Sequence, residues 1–173
     1  MYRLMNVGAV IGAFFGGWLS DWSARRNPRS GRIVLMQVYL VSFAAMTVLI
    51  FQVRWSEAAL LYALLFSFGI IFPIGFWNCV LPMLSAVIRP EMRSTGFGLL
   101  ALFFQGLSLS IVSALIGVLT DRMGLQQMLF WTITVPYLAN AGVWCFFYRI
   151  YPRDAAAMQQ QLEASAATHA NSA

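Results

Sequence analysis

Five long apolar runs, separated by short polar gaps, set the plan of this chain. They cover about residues 4–20, 33–51, 58–87, 95–119 and 127–148. None carries an Asp, Glu, Lys or Arg within its apolar body. A helix needs about 20 residues to cross a bilayer, in a range of about 17–25. A helix also satisfies its own backbone in lipid. The pattern therefore predicts an all-α integral membrane protein with five transmembrane helices over residues 1–153. Beyond Pro152 the chain turns to Ala- and Gln-rich sequence with few aromatics. Residues 154–173 are expected to begin helically and then fray into a low-complexity cytoplasmic tail, with His169 solvated there.

The runs differ in where they depart from plain apolarity. The first has Gly8, Gly12 and Gly16 at four-residue spacing. The fourth has Gly106, Ser110 and Ala114 at the same spacing, with Ser113 and Gly117 in a neighbouring row. Small residues in such rows let helices approach closely in a membrane. The third run is too long for one straight span and contains Pro73 and Pro82, each able to kink a helix. Asn78 lies between them. It fits either a kinked helix with a locally satisfied amide or a bend lining a solute cavity, because intramembrane polar groups face protein or water. Gln105 is the polar outlier of the fourth run. Trp144, Phe146, Phe147 and Tyr148, next to Arg149, read as an interfacial anchor closing the fifth.

Composition agrees. The chain is 60% apolar and 10% charged, against about 25% charged in soluble domains. The net charge is +5, carried by arginines in the gaps. That placement points to membrane topology rather than to nucleic acid. Arg25, Arg26, Arg29, Arg32, Arg89, Arg93, Arg149 and Arg153 fall on one side of the expected bilayer, and Arg3, Arg54 and Arg122 on the other. The positive-inside rule places the first set in the cytoplasm, with the N-terminus outside and the C-terminus inside. Cys79 and Cys145 both lie in apolar runs and are expected to be small packing residues. No nucleophile–base pair, metal spacing or phosphate loop is present, so neither an enzyme, a metal site nor a cofactor is expected.

One short pattern occurs twice. Gly17-Trp18-Leu19-Ser20-Asp21 is echoed by Gly117-Val118-Leu119-Thr120-Asp121, each at the end of an apolar run and each followed by arginine. The arginine distribution puts the two copies on opposite faces. Repeats of opposite orientation mark many transporters. Gly17, Leu19 and Asp21, with the basic loop closing at Gly31-Arg32, resemble the loop motif G-x-L-A-D-R-x-G-R of the major facilitator superfamily. The segment from Arg89 to Gly98, with Arg93 ahead of a small-residue helix, resembles that family's junction between the tenth and eleventh helices. The chain departs from the motif at Trp22, where the family has arginine, and in its longer loop, Ala24 to Arg29. Within the superfamily it resembles Spinster-type members.

The resemblance implies helices eight to twelve of a twelve-helix transporter, a partial C-terminal bundle. It implies transport of a small organic solute by alternating access in a bacterial inner (plasma) membrane. The partners it implies are membrane lipid, the solute and an N-terminal transporter half supplied elsewhere. Gly17, Asp21, Arg25, Arg26, Gly31, Arg32, Arg93 and Asp121 would form the conformational motif. Asp21 could cap a helix end and mark topology, or hold one bundle against the other, and the resemblance favours the second. The third helix would line the cavity and the first and fourth would form the interface between bundles. Trp77, Asn78 and Gln105 are the candidate solute contacts. Met1 begins almost at the first helix, which favours a truncated gene or a wrongly assigned start. A subunit of a split transporter is a second reading. The alternative function is a non-transporting membrane interaction or assembly protein derived from a transporter half.

Overall fold

Each apolar run folds as helix. The computed structural model describes residues 2–53 and 55–171, and only the backbone of residues 2, 76, 104, 105 and 166–171. The chain is 92% helical, with no strand among the described residues. In chain order the α-helices are α1 (Tyr2–Arg26), α2 (Gly31–Gln52), α3 (Ala58–Ile71) and α4 (Leu81–Val87). They continue with α5 (Arg93–Ala101), α6 (Ser108–Met123), α7 (Leu125–Leu129) and α8 (Val135–Asn171). Tighter or wider turns join several of them into longer rods. A 3-10 turn at Phe72–Ile74 and a π turn at Phe76–Val80 lie between α3 and α4. Further π turns at Leu102–Leu107 and Phe130–Thr134 join α5 to α6 and α7 to α8.

The interruption of the third run follows from its prolines. Pro73 offers no N–H and cannot continue the helical ladder. The chain tightens there, then widens, so that the Cys79 and Val80 amides both donate to the Gly75 carbonyl, at 3.1 and 3.2 Å. Pro82 falls in the first turn of α4, where a helix needs no donor.

α2 is the centre of the bundle, touching α1, α3, α8 and the π turns at 76–80 and 130–134. Its buried residues include Ile33, Met36, Leu40, Phe43, Ala44 and Thr47, a spacing of three and four that puts them on one helical stripe. Phe43 stacks on Tyr137 at 4.4 Å and meets Phe68 at 4.6 Å between ring centres. α1 lies along α3. The contact is made at the glycine row. A Cβ at Gly12 would collide with the Ile70 backbone, one at Gly8 with the Phe66 carbonyl and one at Gly16 with Asn78. Gly69 reciprocates against Met5.

The rod from Arg93 to Met123 differs. Neither α5 nor α6 has a buried residue among those described. Its substantial contacts are with chain neighbours alone: residues 90–92, its own π turn and α7. Gly106, Ser110 and Ala114 are exposed, so this small-residue row packs on nothing substantial within the chain.

Among the described residues, three helices are long and apolar enough to cross a membrane: Gly31–Gln52, Ala58–Val87 and Leu125–Ser165. The five expected spans are all helical, but five crossings are not shown. In α1 the glycine row and Asn6 dilute the apolarity. The expected tail is helical over its described length. α8 runs through Pro152 to Asn171, because Ala, Gln, Leu and Glu are strong helix formers. Gln159 bonds Glu163 one turn on at 3.2 Å. Arg54, assigned to the less basic face, lies outside the described residues.

Candidate functional site

The residues of the G-x-L-[S/T]-D stretch come together where α1 ends, α2 begins and the broken third rod crosses them. Glycines at 8, 12 and 16 bring the rod against α1, and Asn78 sits at the crossing. Its side-chain amide donates to the Ala13 and Pro73 carbonyls, both at 3.3 Å. The Ser20 hydroxyl donates to the Asn78 backbone carbonyl. That carbonyl lies in the π turn, where the regular ladder is broken. Gly17 faces the same amide, 3.7 Å from a Cβ placed on it. Cys79, fully buried, lies beside Ser20 and in the field of Arg32.

Asp21 and Arg32 form an ion pair at 3.5 Å. A short turn brings them together. The Gly31 amide donates to Asn27 at 2.8 Å and the Ser23 hydroxyl to the Gly31 carbonyl at 2.7 Å. A Cβ at Gly31 would strike the Ser23 carbonyl, so the turn requires glycine where the motif has it. Arg32 is the more enclosed partner, and its Nε is buried without a hydrogen-bond acceptor. Arg26 lies over the Trp22 ring, 5.4 Å from its centre. Trp22 thus holds an arginine by its ring face. Arg25 is exposed. Arg93 stands apart at the start of α5, its Nε buried and without an acceptor.

Asp121 belongs to the opposite end of the bundle. There Gln52, the last residue of α2, donates to the Gln126 carbonyl at 2.7 Å, just beyond the turn at Gly124. The two copies of the short pattern are therefore separated by the length of α2, 22 residues or about 33 Å at helical rise.

Two of the candidate solute contacts, Asn78 and Trp77, differ in setting. Asn78 faces α1 and has its amide satisfied there, which is the kinked-helix arrangement. Trp77, beside it, is 53% exposed. The Gln105 side chain lies outside the described residues.

Sequence reasoning passed over Gln37. It joins α2 to α8: Tyr148 donates to its carbonyl oxygen at 2.8 Å, and its amide donates to the Ala141 carbonyl at 3.1 Å and the Cys145 sulfur at 3.2 Å. The signal was present, since Gln37 is the one side-chain amide in the second apolar run. Trp144 is likewise corrected. It is buried and stacks on Phe147 at 4.8 Å, so it belongs to the core rather than to an outer anchor.

Among the described residues no group of His, Cys, Asp or Glu is arranged to hold a metal ion. No family model, curated protein or solved structure matches this chain. What the junction can do chemically is limited to holding. It fixes a kinked rod against a flat helix face and carries an ion pair at the rim.

Proposed function

We propose that the chain is an integral membrane protein and one helical bundle of a secondary transporter of the major facilitator type. In this reading it moves a small organic solute by alternating access together with a second bundle. The observation that carries the reading is the junction at Ser20, Asn78 and Arg32. A rod broken between Phe72 and Val80 is held on a glycine face at its middle, and an ion pair stands at the basic end of the bundle. A broken helix at membrane depth is tolerated where protein or a cavity receives its freed backbone groups, and such helices form the solute sites of many transporters. Rocking of the rod would leave the Asp21–Arg32 pair free to exchange partners with the second bundle.

The unpacked rod at 93–123 supports the same reading. Its apolar surface and small-residue row suit a helix of another bundle. The same rod also favours a second reading, a membrane assembly protein that binds such a partner without transport.

The test has two arms. A photo-crosslinking residue at position 106, in native membranes, is expected to trap an apolar helical protein or segment. Cells expressing the chain with that partner are then compared with cells lacking the chain for uptake across a panel of organic solutes. Saturable uptake lost in Asp21→Asn, at normal membrane abundance, supports transport. Crosslinking without any difference in uptake selects the assembly reading. Saturable flux by the purified chain alone would refute the need for a second bundle.

A further inference from the structure

A further cleft opens at the basic end of the bundle. It lies between the turn after α1 and the second half of α8, and measures about 710 Å³. Its wall includes Arg29, Ser30, Tyr148, Tyr151, Arg153 and Gln159, and no carboxylate. Neither guanidinium is ion-paired among the described residues. The smaller cleft nearby, about 400 Å³, contains Glu91 beside Arg89 and is compensated in charge. The larger one is not. Below it the surface changes character. Phe147 and Val143, one and two turns back from Tyr151 on the same row of α8, are both exposed. Arginines, hydroxyls and an amide thus stand at the head of an exposed apolar strip.

We propose that this cleft binds the phosphate headgroup of an anionic phospholipid. Arg29 and Arg153 meet the phosphoryl oxygens, Ser30 and Gln159 supply neutral donors, and an acyl chain lies over Phe147 and Val143. Arginine suits this task because its planar fork pairs with phosphate oxygens, and basic pockets between helices near the cytoplasmic surface select such lipids. Tyr148 is a fixed wall, since its hydroxyl is already committed to Gln37. The apolar strip distinguishes a lipid from a free phosphate, which would have no use for it. The proposal rests on the chain spanning a membrane and is independent of transport.

The experiment uses the full chain expressed in membranes. Carbonate extraction comes first, and a chain released to the supernatant would overturn the membrane reading and this proposal together. The retained chain is then placed in nanodiscs of mixed phosphatidylglycerol and phosphatidylcholine. The lipid held after mild delipidation is measured by native mass spectrometry. Enrichment of phosphatidylglycerol is expected in the natural chain. Arg29→Gln with Arg153→Gln should reduce that enrichment about tenfold, from the attraction expected of two arginines near the surface less screening. Arg25→Gln with Arg26→Gln, which removes equal charge from the same end, should change it less than about twofold. Equal loss in both pairs would show a diffuse basic field and overturn the cleft. So would no loss in the first pair. Displacement of the lipid by millimolar glycerol phosphate would overturn the lipid as occupant in favour of a soluble phosphate.

Discussion

The first and fourth apolar runs carry the same signature and meet different fates. Gly8 and Gly12 lie against α3, and Gly16 against Ile74 and Asn78 of the same rod, so closely that no Cβ fits. Gly106, Ser110 and Ala114 repeat the spacing, yet a Cβ at Gly106 would meet only Leu102 of its own rod, at 3.8 Å. The Ser110 hydroxyl turns back to the Gly106 carbonyl at 2.8 Å, the ordinary local bond of a helical serine. A small-residue row states that a helix can be approached closely. It does not state by what. In the first case the partner is in the chain, because a broken rod with an amide at its kink gains both packing and hydrogen bonds there. In the second the row faces outward.

The largest effect that would break this comparison is steric. Gly12→Leu should cost about 3 kcal/mol, at the upper end of overpacking penalties. Gly106→Leu should change stability by less than about 0.5 kcal/mol, as at an open surface. Unfolding in mixed micelles by titration with dodecyl sulfate measures both, and equal losses would remove the distinction. Asn78→Leu should be milder, about 1 kcal/mol, through loss of its bond across to Ala13. Retained stability would mean that the glycine face alone holds the rod. Gln37→Leu should cost about 0.6 kcal/mol, the average for a polar pair between membrane helices, with a loss of protection at the α2–α8 contact in hydrogen exchange. Asp21→Asn should be smallest on this scale, about 0.2 kcal/mol, because the Asp21 side chain is 65% exposed. Its membrane abundance should be unchanged, so a drop in abundance would make the ion pair structural rather than conformational.

The helices themselves were legible in the sequence, because apolar runs bounded by arginine and glycine leave the backbone few other choices. So was the break at Pro73, which follows from a missing donor, whereas Pro82 fits the first turn of α4. The motif residues divided. Asp21, Gly31 and Arg32 are close in the chain and a tight turn unites them, so their association could be read locally. Asn78 was identified as an outlier, but its role was not, since both a cavity and a neighbouring helix satisfy an amide. Gln37 was passed over for a related reason: its partners lie more than a hundred residues away. The helix continues beyond Pro152 because helix propensity does not depend on aromatic content.

The sequence by itself determined element type, the approximate limits of each rod, the gathering of arginines in particular gaps and the two short patterns that close α1 and α6. These depend on backbone donors, on local polarity and on spacing, all of which act within a few residues. Only the tertiary structure decided which face of each rod is inside. α2 is apolar on nearly every side, so its composition gave no direction. Its stripe from Ile33 to Ile50 became the core because α1, α3 and α8 were placed around it by glycine contact, by Asn78 and by Gln37. The same placement left the rod at 93–123 outside, and put Arg29 opposite Arg153 across a cleft whose two walls are far apart in the chain.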